Sequence, residues 1–226
     1  MRIAKLHSWD LTPKDAVALQ RELAGRVDAS VSLTDCRLVA GADVSYERFG
    51  NRFYAGVVVI RLPELEVVEK ASAVADSPFP YVPGLLSFRE APVLLEAFRK
   101  LKAEPDVVMF DGQGYAHPRR FGLACHVGLW LERPCLGCAK TRLIGTHREP
   151  GQRAGSLAPL LDNKEVIGSV LRTKNGIKPL YISVGHRIDL PGAVRAVLDS
   201  CGKYRLPEPT RQAHLHVNAL RRGDAC

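Results

Sequence analysis

A chain of 226 residues, 46% hydrophobic and 25% charged, can bury a sizeable core, and it has the composition of neither a disordered polymer nor a collagen. Six cysteines are too sparse for a disulfide scaffold, and the apolar run Ala55 to Ile60 is far short of the roughly 20 residues that cross a bilayer. The formal charge of +8 is unevenly held: residues 1–111 carry 14 basic and 16 acidic groups, residues 112–226 carry 18 and 8.

An excess of +10 in the second half favours a polyanionic partner, nucleic acid being the commonest in a cytosol, although net charge also serves solubility alone. Arg2, Lys5 and Asp10 stand where a secretory leader would need apolar residues. The expectation is a cytoplasmic chain that touches no membrane and keeps its cysteines as thiols.

In chain order, Thr12-Pro13-x-Asp15 predicts a helix start, with Thr12 as cap and Ala16, Leu19, Leu23 and Val27 as the apolar face. Three β segments follow at about 36–46, 52–62 and 67–76, separated by Phe49-Gly50-Asn51 and Pro63-Glu64-Leu65-Glu66, which predicts an antiparallel meander. After prolines 78, 80 and 83 a helical pattern runs to about Leu101. Val107 to Phe110 is a continuous apolar run between turn signals, the pattern of a strand buried on both faces. A glycine-rich loop, a helix at 120–132, a strand at 134–139 and a loop from 145 to 159 come next. Segments 164–172 and 178–184 flank Asn175-Gly176, a hairpin signal, and two terminal helices close the chain, one entered by Pro191 and one from Thr210 to about Arg222. The sum is one mixed α/β domain over 1–226, without repeats or linkers.

Two carboxylates are out of character with their surroundings. Asp43 interrupts the apolar strand Leu38 to Ser45, and Asp111 closes the most hydrophobic strand of the chain. A buried carboxylate needs compensation, which a divalent cation supplies; each Asp alone is equally compatible with a turn cap. Glu90 has two readings: a capping box with Ser87 would fold it back on the helix terminus, whereas Pro92 suits the first position of a later-starting helix and leaves Glu90 free. The loop from Asp111 to Arg120 holds Gly112, Gly114, His117, Arg119 and Arg120, suited to close ligand approach and phosphate contact or to an exposed turn. Tyr81 between Pro80 and Pro83 projects from a stiff segment, as a core residue or as a wedge among stacked bases. Cys135-x-x-Cys138 lacks the second pair that a zinc site needs, and His214 and His216, two apart, point to different helix faces.

The segments GADVSY (41–46), PYVPGLLSFRE (80–90), DGQGYAHPRRFGLACHVG (111–128) and GCAK (137–140) resemble the endonuclease V family, whose members nick DNA beside deaminated purines. The resemblance covers about residues 10–220. It implies an α/β fold of ribonuclease H-like type: a mixed five-stranded sheet, antiparallel meander first, flanked by helices. On the positions of this chain, Asp43 and Asp111 match the Mg²⁺-binding carboxylates, with Mn²⁺ able to substitute. Glu90 matches the third acidic active-site residue, Lys140 a lysine near the scissile phosphate, and His214 a position on the last helix that is acidic or histidine in members. Tyr81 matches the wedge, with Pro80 and Pro83 beside it; Gly84, Gly112, Gly114, His117 and Gly122 match the loops that receive the displaced base, and Arg119 lies among them. Cys135 departs from the non-thiol usual there.

The implied activity is hydrolysis of the second phosphodiester bond 3′ to deoxyinosine, leaving 3′-hydroxyl and 5′-phosphate ends. The implied partner is double-stranded DNA containing deoxyinosine, with single-stranded DNA or RNA as further substrates, and the implied state is a monomer. The rivals are an inosine-specific endoribonuclease and a nucleic-acid-binding protein without catalysis.

Overall fold

In the computed structural model, which describes residues 1–47 and 50–224, Thr12 caps the first helix as its spacing predicts. The Thr12 hydroxyl accepts the Asp15 amide and α1 runs Pro13–Ala24. The meander forms β1 (Leu38–Tyr46), β2 (Arg52–Arg61) and β3 (Glu66–Asp76), paired antiparallel. Of the turn expected at Phe49-Gly50-Asn51, Phe49 lies outside the described residues.

Helix α2 spans Leu86–Lys100 and corrects both readings of its start. Leu85, not Ser87, is the cap residue, and Pro92 sits inside the helix rather than at its first position. Proline there denies the helix one backbone bond, but Phe88, Ala91, Leu94, Leu95 and Phe98 are all buried, which holds the helix against that loss. The Ser87 hydroxyl is engaged by His126 Nδ1 at 2.9 Å instead of capping the helix.

Strand β4 (Val107–Phe110) lies parallel to β1 and to β5 (Cys135–Ala139), and α3 (Leu123–Leu131) crosses between β4 and β5. β4 is buried on both faces as its composition predicts. Val108 and Phe110 join α2 and α3 in one core, while Val107 and Met109 join the opposite core, with residues of α4 (Leu190–Asp199). The last helix, α5 (Glu208–Arg222), packs over β1 and β2.

The sheet has eight strands, not five, in the order β3-β2-β1-β4-β5-β8-β7-β6. Strands β6 (Leu157–Asp162), β7 (Glu165–Leu171) and β8 (Leu180–His186) extend it antiparallel beyond β5. The first half of β6, residues 157–159, falls in the stretch whose Gly, Arg and Pro content reads as a loop; Pro159 is tolerated there since β6 is an edge. The β6–β7 turn is Asn163-Lys164, both at positive φ (51° and 71°), a tight hairpin without glycine.

Candidate functional site

The parallel strands β1, β4 and β5 all end at the same edge of the sheet, where chains leaving an open α/β sheet build ligand sites. Ala42 is level with Phe110, so Asp43 and Asp111 are brought side by side, and Lys140 leaves β5 next to them. Side chains alternate along β1, so Asp43 shares a face with Gly41, the face covered by α5. Gly41 lies against Pro209 and Thr210, where an added Cβ would stand 2.1 Å from the Pro209 carbonyl carbon. Two residues of strand advance about 6.6 Å and five of helix about 7.5 Å, so the same contact carries His214 to Asp43. Indeed His214 Nδ1 lies 2.7 Å from Asp43 Oδ2. His216, two residues on, is buried against β2 beside Gly56.

Asp43, Asp111 and His214 each offer a ligand atom, and these atoms lie within 4.8 Å of one another, the one such group of three among the described residues. Lys140 Nζ donates to Asp111 Oδ2. Burial raises the Asp43 carboxyl above its usual range, and the Asp111 charge adds to it; the His214 contact opposes both. Glu90 lies outside the group of three but is 7% exposed and is pushed up to about 8, by burial first and then by Asp43 and Asp111.

In the unfolded chain Glu90 would ionise near 4.3, so between that pH and about 8 the folded protein holds the extra proton. Its contribution to stability therefore falls as pH rises through this window. Glu90→Gln should melt progressively higher than the parent from pH 5 to pH 8 in EDTA, and a constant difference would show that neither burial nor the two neighbouring carboxylates raise this carboxyl.

A cavity of about 500 Å³ opens next to Asp111. Tyr81, Pro83, Gly84, Gly112, His117 and Gly122 line it, together with Lys140. Tyr81 is 67% exposed at its mouth, on the surface and not in the core. Gly112 has no neighbour closer than 3.7 Å to an added Cβ, so chain packing does not demand glycine there.

Two residues expected at this pocket do other work. Gly114 is absent from the lining: its amide donates to Ser183 Oγ at 2.9 Å, and an added Cβ would stand 2.1 Å from the Val184 carbonyl oxygen, so the glycine serves loop packing on β8. Arg119 does not present a free fork for phosphate, because its Nη2 donates to the Gly84 carbonyl at 2.7 Å and its Nε to Gln20 Oε1 at 2.5 Å. Arg120 is likewise paired with Asp162 and Glu165, both at 2.8 Å.

Gln20 is the residue that sequence reasoning missed. It is 1% exposed, and its amide donates to the carbonyls of Gly84 and Phe121, each at 3.0 Å, tying the Tyr81 loop to the loop after β4. The signal was a glutamine four residues after Ala16, on the buried stripe of α1. Burial, then the nearby Arg119 charge, lowers His117 to about 4, so its neutral ring donates Nε2–H to Gly84 (3.1 Å) and accepts the Arg119 amide at Nδ1 (3.2 Å). Three donors thus converge on the Gly84 carbonyl. Gln20→Ala leaves Arg119 Nε and the Phe121 carbonyl short of a partner and removes one of the three donors on Gly84, and should lower stability by about 1–3 kcal/mol. Thermal unfolding checks this, and an unchanged melting temperature would contradict it.

Cys135 and Cys138 lie buried in β5 as free thiols.

The endonuclease V family model matches residues 21–215. Endonuclease V of Dehalococcoides mccartyi is 51% identical, over 97% of this chain and 99% of its own length. The crystal structure of endonuclease V from Streptomyces avermitilis superposes with a TM-score of 0.92 at 41% identity, covering all of both chains. That of Ciona intestinalis endonuclease V, in complex with a 24mer DNA containing an inosine followed by a ribo-adenosine, superposes at 0.81 with 26% identity, over 94% of this chain and 98% of the other. Carboxylates joined at the ends of β1 and β4, a cavity beside them and this match over nearly the whole length lead to one conclusion: the chain belongs to the endonuclease V family.

Proposed function

We propose that this protein is a divalent-cation-dependent endonuclease of DNA repair that takes deoxyinosine into the cavity beneath Tyr81 and hydrolyses the second phosphodiester bond 3′ to it. The observation that carries this reading is that Asp111 belongs to both places: it is one of the three clustered ligand residues and it lines the cavity. A base held in the cavity therefore has its neighbouring phosphates at the carboxylates.

Two carboxylates suit Mg²⁺ or Mn²⁺, and the burial that raises Asp43, with the Asp111 charge adding to it, is a cost that a bound cation relieves. Asp43 and Asp111 would hold the ion, which when bound polarises the phosphate and makes its water a better nucleophile. His214 donates to Asp43 and fixes the direction of that carboxylate. Lys140 brings a positive charge to the oxygen released as the bond breaks. Tyr81 fills the place vacated by the extruded base, and a weakly paired inosine costs less to extrude than a sound base.

Tyr81→Ala should weaken binding to inosine-containing duplex about tenfold, the value of one lost stacking contact, and leave undamaged duplex within twofold. Equal losses on both would make the ring a packing residue.

The deciding experiment is nicking of an inosine duplex against its adenine counterpart, with Mg²⁺ and with EDTA. Cation-dependent cleavage at one phosphodiester 3′ to inosine is expected, and cleavage of both duplexes, or in EDTA, would refute the reading. The ribo-adenosine in the Ciona complex favours a matched inosine RNA as the second arm. Preference for it would make the protein an endoribonuclease.

A further inference from the structure

We propose that the groove on the far side of the 140–142 segment is a second phosphodiester site, which holds the substrate strand 3′ of the cleaved bond. The proposal rests on the endonuclease reading above. A cavity of about 550 Å³ shares Lys140, Thr141 and Arg142 with the base cavity, so this segment is a wall common to both. Beyond it the lining adds Arg172, Lys178 and Arg205 against one carboxylate, Glu149.

The walls are fixed by bonds that leave Arg142, Lys178 and Arg205 without a carboxylate partner among the described residues. Arg172 is buried; its guanidinium donates to the carbonyls of Gly151 (2.6 Å), Pro150 (3.2 Å) and Ile177, and it pairs with Glu149 at 2.6 Å. The single carboxylate is therefore already committed. Arg205 donates to the carbonyls of Lys140 (3.2 Å) and Pro179 (2.7 Å), which holds the shared wall against the segment entering β8. Gly176 donates to the Gln152 carbonyl at 2.9 Å and Ala154 to Asn175 Oδ1 at 2.7 Å, locking the two remaining loops together. Arg142 and Lys178 are exposed, and among the described residues neither has an ion-pair or hydrogen-bond partner. Unpaired cations in a fixed groove focus their field on whatever polyanion enters it.

Continuity identifies that polyanion. Lys140 joins the cation cluster through Asp111 and also lines the groove. A strand whose reacting phosphate lies at Asp111 has its lesion flank in the base cavity, and the other flank passes Lys140 into the groove.

Lys178 lines only the second cavity, which makes it the discriminating position. Lys178→Gln should raise Kd and KM for inosine DNA about threefold, Lys178→Glu about tenfold, and Lys178→Gln should reduce the slope of log Kd against log salt by about one; Lys178→Arg should restore both. On substrates trimmed to one nucleotide past the cleaved bond on the 3′ side, the parent should bind at least as weakly as Lys178→Gln does on long ones, because the other groove cations lose the strand too, and the substitution should add nothing. Equal losses on trimmed and long substrates, losses that follow the 5′ flank, or an unchanged salt slope would overturn the proposal. If the parent fails to nick inosine DNA at all, the endonuclease reading falls by itself, and anisotropy with an undamaged strand still tests the groove.

Discussion

Asp43→Ala and Asp111→Asn should each reduce cation-dependent nicking of inosine DNA by more than about 10³-fold, while affinity for the same DNA stays equal or increases. Asp43→Ala removes one of the two carboxylates of the cluster and Asp111→Asn turns the other into a neutral amide that keeps an oxygen but not its charge; the loss of several kcal/mol of charge stabilisation on the phosphate corresponds to a rate effect of this size. Binding moves the other way because a negative group leaves a phosphate-facing site. In Asp111→Asn the effect is sharpened, since Lys140 loses its ion-pair partner and its charge becomes available to the backbone. Single-turnover nicking with anisotropy on the same substrates separates the two quantities. Activity within tenfold of the parent in either variant would remove Asp43 and Asp111 from the chemistry.

Gly41→Ala should damage the site without altering any group in it. The added methyl would stand 2.1 Å from the carbonyl carbon and oxygen of Pro209 and 2.5 Å from the Thr210 nitrogen, all backbone atoms that cannot rotate away. Helix α5 must retreat, and His214 retreats with it from Asp43. Overpacking of this kind costs about 1–3 kcal/mol, which lowers the melting temperature of a chain this size by roughly 2–12 °C. A displacement of about 1 Å at a reacting centre can cost 10²-fold in rate, so nicking measured well below the melting transition should fall by about that factor. His214→Ala is the control: if it loses much less than Gly41→Ala, the helix carries more than the histidine to the site. An unchanged melting temperature and rate in Gly41→Ala would show that α5 does not press on β1 as described.

Local signals were legible where one physical effect dominated. Thr12 with Pro13 marked α1, and the unbroken run Val107 to Phe110 marked a strand covered on both faces. They failed where a distant contact overruled a local preference. Pro92 reads as a helix start but lies within α2, because the burial of Phe88, Leu94 and Phe98 outweighs one missing bond. Pro159 reads as a loop but lies in β6, because an edge strand tolerates an absent donor. Arg119 reads as a phosphate ligand by its chemistry, yet its donors face Gly84 and Gln20, and nothing within the segment 111–120 points to either.

What the sequence by itself determined is which groups are the candidates for the site: Asp43 and Asp111 are conspicuous because a carboxylate on an apolar strand must be compensated, and the family resemblance rests on the segments around them. Only the tertiary structure decided how they meet. Asp43 and Asp111 are 68 positions apart and become neighbours through the parallel pairing of β1 with β4; His214 arrives through the close approach at Gly41; and Gln20 becomes the brace of the Tyr81 loop because α1 packs there. Hydrophobic patterning acts within a turn of helix or a pair of strand residues, whereas site geometry depends on which surfaces pack, a property of the whole chain.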